Sequence, residues 1–236
     1  MSRVFVAGAS GVIGRALVPI LVAAGHEVTA MTRFPERGPA LTALGATPAI
    51  VDAFDRPRLS EAVQLSRAEV VIHQLSDLTT PPGMPLGPEV LERNARLREE
   101  GTANLVEAAA AAAAGRIVAQ SLAWLYAPGP QPHDEMDPLR ALDPDGGPAS
   151  LRGVLVLERL VLEDPRFTGI VLRYGRLYGP DTWDATPPEP PTVAVAAAAR
   201  AAALAVDRGD AGVYNVVDDD GPVSNVRARA DLGWTP

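Results

Sequence analysis

Residues 4–14 read VFVAGASGVIG, and this stretch decides the fold. Four apolar residues run into a Gly-x-x-Gly-x-x-Gly turn, and an apolar helical pattern follows at once. Each glycine has a separate task in such a turn. Gly8 lets the chain turn tightly, Gly11 lets the backbone approach a pyrophosphate, and Gly14 lets the helix pack on the strand. The helix that opens at Val12 and Ile13 offers unpaired N–H groups and a partial positive charge to phosphates, with Ser10 beside them. Three glycines alone are a weak signal. Their place between a first strand and a first helix points to a bound dinucleotide.

Outward from this turn the alternation continues. Strands are expected near 3–7, 27–31, 47–51, 69–73, 116–121, 168–173 and 212–216, and helices near 12–24, 36–44, 57–66, 88–114, 150–163 and 193–207. The strands are short and rich in Val and Ile, as suits strands covered on both faces. The pattern predicts an α/β protein: one Rossmann-type, doubly wound parallel sheet over 1–236, with a small C-terminal substrate-binding region. Stretches rich in Pro and Gly at 79–88, 127–148 and 179–191 follow sheet strands. Ligands of open α/β sheets bind beyond the carboxyl ends of strands. The substrate region is therefore assigned to 79–88, 127–148 and 175–236. Surface loops without function are the alternative, above all for DATPPEPP at 184–191.

Composition excludes several classes. The chain has no cysteine, hence no disulfide, thiolate metal site or thiol nucleophile, and no metal site is expected. Its net charge of −8 disfavours a nucleic-acid partner. The Ala-rich runs at 108–114 and 196–203 are too short and interrupted to span a membrane. The opening MSRVFVAGASG reads as a strand and a turn, not a signal peptide, so a cytoplasmic protein is expected. All 21 basic residues are arginine. Codon bias accounts for the trend, but any mechanism that needs a lysine is excluded.

The second strand ends AMTRF, without the acid that usually holds a ribose 2′-hydroxyl in NAD sites. Arg33 suits a 2′-phosphate, so NADP(H) is expected as cofactor. Arg33 as a solvated loop residue is the alternative. Asp52, in VDAFD, is placed to reach the adenine amino group or to cap the following helix.

The segments GASGVIG, VDAFD, VIHQLS, NARLREEGTANLVEAA, RIVAQSLAWLYAPG, VLRYGRLYGP and ADLGWTP follow one another along most of the chain. In that order they resemble the extended short-chain dehydrogenases/reductases, which include sugar-nucleotide epimerases, dehydratases and NADP-dependent ketone reductases. The resemblance implies further cofactor contacts at Ala53, Gln74, Leu75, Ser76, Gln120 and Tyr174. It also implies a Tyr-x-x-x-Lys pair on the helix ASLRGVLVLERLV, 149–161. Counted from Glu158, those places hold Ser150 and Val154. The serine that binds a substrate carbonyl is also displaced: Leu122 holds its place and Ser121 lies one residue early, which on a strand faces the other side. At 192–201, where relatives carry a His and acids, the chain has Ala194, Ala196 and Ala197.

Reduction of a ketone needs a group to stabilise and protonate the oxygen. With the pair absent, Ser121, a water or the substrate itself remains. A substrate hydroxyl beside the ketone supplies its own proton. Aromatic residues Trp124, Tyr126, Tyr178 and Trp183, with Leu122 and Met84, are expected to wall the pocket, although aromatics are more often core. His73 reads as structural, His133 as a loop residue within reach of substrate or solvent, and His26 lies on the far side. In these features the chain resembles the triad-less ketoreductases of aromatic polyketide (angucyclinone) pathways, such as the simocyclinone pathway. The expectation is NADPH-dependent reduction of an aromatic ketone by a monomer or homodimer. A non-redox isomerase, dehydratase or cyclase on the same fold and an NADP(H)-binding sensor remain as alternatives.

Overall fold

The computed structural model describes residues 1–78, 86–142 and 147–236. Met84, most of the 79–88 stretch and residues 143–146 lie outside the described residues. Nine strands form in chain order: β1 (Arg3–Ala7), β2 (Glu27–Thr32), β3 (Thr47–Ile50), β4 (Val70–His73), β5 (Arg116–Leu122), β6 (Thr168–Tyr174), β7 (Arg176–Tyr178), β8 (Thr192–Ala194) and β9 (Gly212–Val216). Seven of them make one parallel sheet in the order β3-β2-β1-β4-β5-β6-β9. The order reverses between β1 and β4, which opens a crevice beyond their carboxyl ends.

The sheet is covered on both sides, as its apolar strands require. Val4 and Val6 face α1 (Val12–Ala23) and α7 (Val195–Leu204), while Phe5 and Ala7 face α3 (Arg56–Leu65), α5 (Thr102–Ala111) and α6 (Ala149–Leu162). Successive side chains of a strand point to opposite faces, so one run of four apolar residues feeds two cores. Ala198, Ala201 and Ala202 of α7 are fully buried, and their small size lets α7 approach α1 closely.

Several expected elements are modified. The helix expected at 88–114 is α4 (Pro88–Arg96), a π-helical turn (Leu97–Gly101) and α5 in succession. The helix expected at 36–44 is a 3₁₀ turn (Pro35–Arg37) followed by α2 (Gly38–Ala43). The helix expected from 193 begins at Val195, because Thr192–Ala194 is drawn into a two-stranded parallel pair with β7. This pair, which the sequence reading lacked, lies in the C-terminal region. The chain closes on Trp234, buried with its indole N–H donated to the Ala197 carbonyl at 2.8 Å. No helix among the described residues is long and apolar enough to cross a membrane.

Candidate active site

The glycine turn is built as its spacing requires. Gly8 has φ +86°, and a Cβ there would stand 2.5 Å from the Gln74 carbonyl oxygen. A Cβ on Gly14 would meet the carbonyl oxygens of Gly8 and Ala9 at 2.3 and 2.5 Å. Both glycines are forced by packing. Gly11 differs: a Cβ there meets only the Gly8 oxygen, at 3.2 Å, so the space above it is open. The first turn of α1 carries no acid and no side-chain cap, which leaves its N–H groups to an anion. These features fit the pyrophosphate of a dinucleotide.

At the end of β2, Ser10 Oγ and Thr32 Oγ1 lie 3.0 Å apart. Arg37 reaches over Phe34 and donates to Ser10 Oγ at 3.4 Å, while Arg15 donates to the Ser10 carbonyl at 3.0 Å. Arg33, the cation expected here, is shared with the buried Asp77, 3.5 Å away. Arg15 pairs with Asp181 at 3.0 Å. Arg37 has no carboxylate partner among the described residues, and the sequence reading missed it. Its only signal was a second arginine in the turn after β2. Asp52 turns its own loop, accepting from the Phe54 N–H at 2.8 Å. Capping of α3 falls to Asp55, which accepts from the Arg58 N–H at 3.2 Å, and this corrects the capping role considered for Asp52. Ala53 is buried and holds the loop through its carbonyl, which accepts from Asn104 at 3.0 Å.

The ends of β4 and β5 carry amides. Gln74 is buried, donates to the Tyr174 hydroxyl at 3.2 Å and keeps an unpartnered Oε1. Gln120 donates to the Leu75 carbonyl at 3.1 Å, and Ser76 is exposed just beyond. Burial first pushes the Tyr174 phenol pKa up, against the opposing Gln74 hydrogen bond. His73 is fully buried; its Nδ1 accepts from the Leu75 N–H, so Nε2 carries the proton toward Thr102 Oγ1 at 2.8 Å. Burial, aided by the Arg98 charge, lowers its pKa to about 4 and holds it neutral.

Ser121 shares the strand face of Ile117 and Ala119, beneath α6. It is fully buried and donates to Glu158 Oε1 at 2.5 Å. The carbonyl-binding role considered for it is therefore corrected: its proton is committed inside the protein. Glu158 also takes a bidentate pair from Arg173, at 2.9 and 2.7 Å. Arg173 donates onward to the Tyr126 hydroxyl at 2.9 Å, and Tyr126 donates to Asn215 Oδ1 at 2.7 Å. Burial opposes the Arg173 charge, but the Glu158 bonds and charge outweigh it and raise its pKa. On α6, Val154 is fully buried against Leu125 and Leu151, and Ser150 stands in the first turn.

A cavity of about 420 Å³ opens beyond β5 and β7, walled by Trp124, Tyr126, His133, Arg140, Arg176 and Pro191 among others. Trp124 and Tyr126 both border it. His133 is stacked on Tyr126 with ring centres 5.1 Å apart, and its Nδ1 lies 2.9 Å from Asp137. Of the other expected wall residues that the structure describes, Leu122, Tyr178 and Trp183 do not line this cavity. Leu122 packs toward Leu151 and Val154, Tyr178 stays in β7, and Trp183 is 68% exposed to solvent. Arg140 and Arg176 were missed.

The fold and the glycine turn together define a Rossmann-type dinucleotide-binding scaffold, and residues 8–143 match the NAD(P)H-binding family. The chain belongs to that family. It is 50% identical over 182 residues to the 3-diazoavenalumate denitrifying reductase of a Streptomyces species, covering 76% of this chain and 58% of that protein. It is 32% identical over 80 residues to a decarboxylating sterol-4-alpha-carboxylate 3-dehydrogenase of Dictyostelium discoideum, covering 34% of this chain and 24% of that one. The chain thus spans less than two thirds of the length of these curated relatives. In fold it is similar to the Bordetella bronchiseptica enzyme WbmH in complex with NAD⁺ (TM-score 0.78, 19% identity, 100% of this chain and 94% of that one). It is also similar to a UDP-glucose 4-epimerase of Thermotoga maritima (TM-score 0.76, 19% identity, 99% and 93%).

Proposed function

We propose that the protein is an NADPH-dependent reductase that delivers hydride to an aromatic acceptor without an acid from the protein. One observation carries this reading. Among the described residues, the groups at the carboxyl ends of β4, β5 and β6 that could give a proton are closed off. His73 on β4 and Tyr174 on β6 are buried, Ser121 on β5 is locked to Glu158, and the two rings that border the cavity, Tyr126 and His133, are bonded to Asn215 and Asp137. When bound, the cofactor supplies the hydride. Gly8–Gly14 and the first turn of α1 would hold its pyrophosphate, with Gln74 and Gln120 as the amides nearest its ring. Arg37, with Ser10 and Thr32, supports NADP(H) over NAD(H), because a 2′-phosphate is a dianion that rewards an unpaired guanidinium.

Two acceptors need no acid from the protein. A diazonium carbon is the first, favoured by the 50% identical reductase whose name specifies a diazo substrate. There the new C–H bond forms with the hydride pair while the C–N bond breaks and its pair leaves with N₂. NADPH would supply both electrons of the new bond and be left as NADP⁺, and no proton enters. An aromatic ketone with a neighbouring hydroxyl is the second, in which the hydroxyl proton passes to the reduced oxygen. The test is NADPH oxidation with three acceptors: an aryl diazonium acid, a hydroxyl-flanked aryl ketone and the methyl ether of that ketone. Stoichiometric N₂ release with the first supports the diazonium reading. Turnover of the free phenol but not its ether supports the ketone. Equal turnover of phenol and ether places an acid on the protein and overturns the proposal, as does tight NADPH binding without oxidation by any acceptor. The latter outcome would favour a non-redox enzyme or a sensor.

A further inference from the structure

We infer that the cavity beyond β5 and β7 is an anion subsite that holds the carboxylate of an aromatic acid through Arg176 and Arg140. The inference deepens the proposed function by naming the substrate class, and it rests on that reading only in taking the occupant to be the hydride acceptor.

The charges are the first observation. Several arginines of this acidic chain are paired with carboxylates, as Arg173 is with Glu158 and Arg152 with Glu92 and Glu99. Arg140 and Arg176 border the same cavity, and neither has a carboxylate partner among the described residues. Their few bonds are to backbone carbonyls. Arg176 reaches those of Glu189 and Pro190 at 2.9 and 3.1 Å, and Arg140 that of Tyr126 at 3.4 Å. These contacts position the guanidinium groups and leave N–H donors over, since each group carries five. A carboxylate is the acceptor whose two oxygens match such a fork.

The walls are the second observation. Arg176 lies over the Trp124 ring, 5.4 Å from its centre, and the Tyr126–His133 stack forms another wall. Flat, π-rich surfaces of this kind receive a planar aromatic body. The third observation is direction. The cofactor crevice lies at β1 and β4, whereas Tyr126 is tied to Arg173 on β6 and to Asn215 on β9. Neighbouring strands are about 4.8 Å apart, so the arginine end stands on the order of 10 Å beyond the β4 edge, about the length of an aromatic acid. An acid anchored at Arg176 presents its opposite end to the hydride. For a diazonium acid the two charges are then sorted, with the anion at the arginines and the cation away from them.

The test is equilibrium binding, with no turnover. 4-Hydroxycinnamate and its methyl ester are titrated into the NADP⁺-loaded protein and followed by calorimetry and by quenching of Trp124 fluorescence, with Trp124→Phe as the assignment control. The acid should bind about tenfold or more tightly than the ester, since a hydrogen-bonded charge pair is lost in the ester. Arg176→Gln should bring the two affinities together, and Arg140→Gln, on an exposed residue, should narrow the gap without altering thermal unfolding. Equal affinity for acid and ester in the wild-type protein, binding of neither, or a preference that survives both substitutions would each overturn the inference. Acid-selective binding without NADPH consumption by any acceptor would sink the reductase reading and leave the subsite standing.

Discussion

Replacing Glu158 with Gln tests the buried network most sharply. The carboxylate and its Arg173 partner are each only 7% exposed, and three hydrogen bonds converge on the carboxylate, from Ser121 and twice from Arg173. Glutamine keeps the volume but removes the charge. Arg173 is then left as a buried cation without its counter-charge, with only the amide oxygen and the Tyr126 hydroxyl to accept from it. Breaking a buried pair from one side costs about 3–5 kcal/mol, most of it the desolvation of the orphaned charge. For a chain of this size each kcal/mol lowers Tm by roughly 2–4 °C, so the fall should be on the order of 6–20 °C. The effect is read by calorimetric or circular-dichroism melting at pH 7. Arg166→Gln, which breaks exposed ion pairs with Asp164 and Glu107, is the control and should leave Tm nearly unchanged. The double variant Glu158→Leu/Arg173→Met should recover much of the loss, because removing both charges removes the orphan. A Glu158→Gln protein melting within about 2 °C of wild type would refute the reasoning.

Gly11→Ala should fold normally, since φ −78° and ψ 179° suit alanine, yet weaken NADPH binding by about tenfold or more by filling the open space over the turn. Gly14→Ala should instead lower stability by about 1–3 kcal/mol through its backbone clashes, and equal melting losses in the two variants would contradict this division. Arg37→Met should weaken NADPH binding by about tenfold while leaving NADH binding unchanged, measured by fluorescence titration; equal losses for both cofactors would remove Arg37 from the 2′-phosphate site. His73, with its pKa lowered to about 4, binds fewer protons folded than unfolded below pH 6.5. Its share of stability is therefore complete above pH 6.5 and is lost as pH falls toward 4, amounting to about 2 kcal/mol by pH 5 in urea unfolding. An absence of decline between pH 6.5 and 5 would contradict the neutral, buried imidazole.

The sheet was legible because buried parallel strands write themselves as apolar runs, and Gly8, Gly11 and Gly14 fix where the first βα unit turns. Strands of three residues, such as Arg176–Tyr178 and Thr192–Ala194, carry no period to read, so the pair that brings Arg176 to the cavity stayed hidden. Long-range polar contacts were equally silent. Nothing local tells that Arg37 folds back onto Ser10, that Asp77 engages Arg33, or that Ser121 spends its proton on a residue 37 positions away. The aromatics illustrate the same limit. Trp124 and Trp183 look alike in sequence, yet one borders the cavity and the other stands in solvent. The absence of lysine needed no structure, and it shaped the functional reading more than any contact.

The central claim is that hydride transfer here requires no proton from the protein. It is tested most directly by single-turnover reduction of an aryl diazonium acid with NADPH deuterated at the transferred position of C4, run in H₂O and in D₂O. The account predicts one deuterium on the carbon that carried the nitrogen, N₂ in equal amount, and the same transfer rate in both solvents. A product without the cofactor's deuterium, or a transfer step that slows in D₂O, would contradict it.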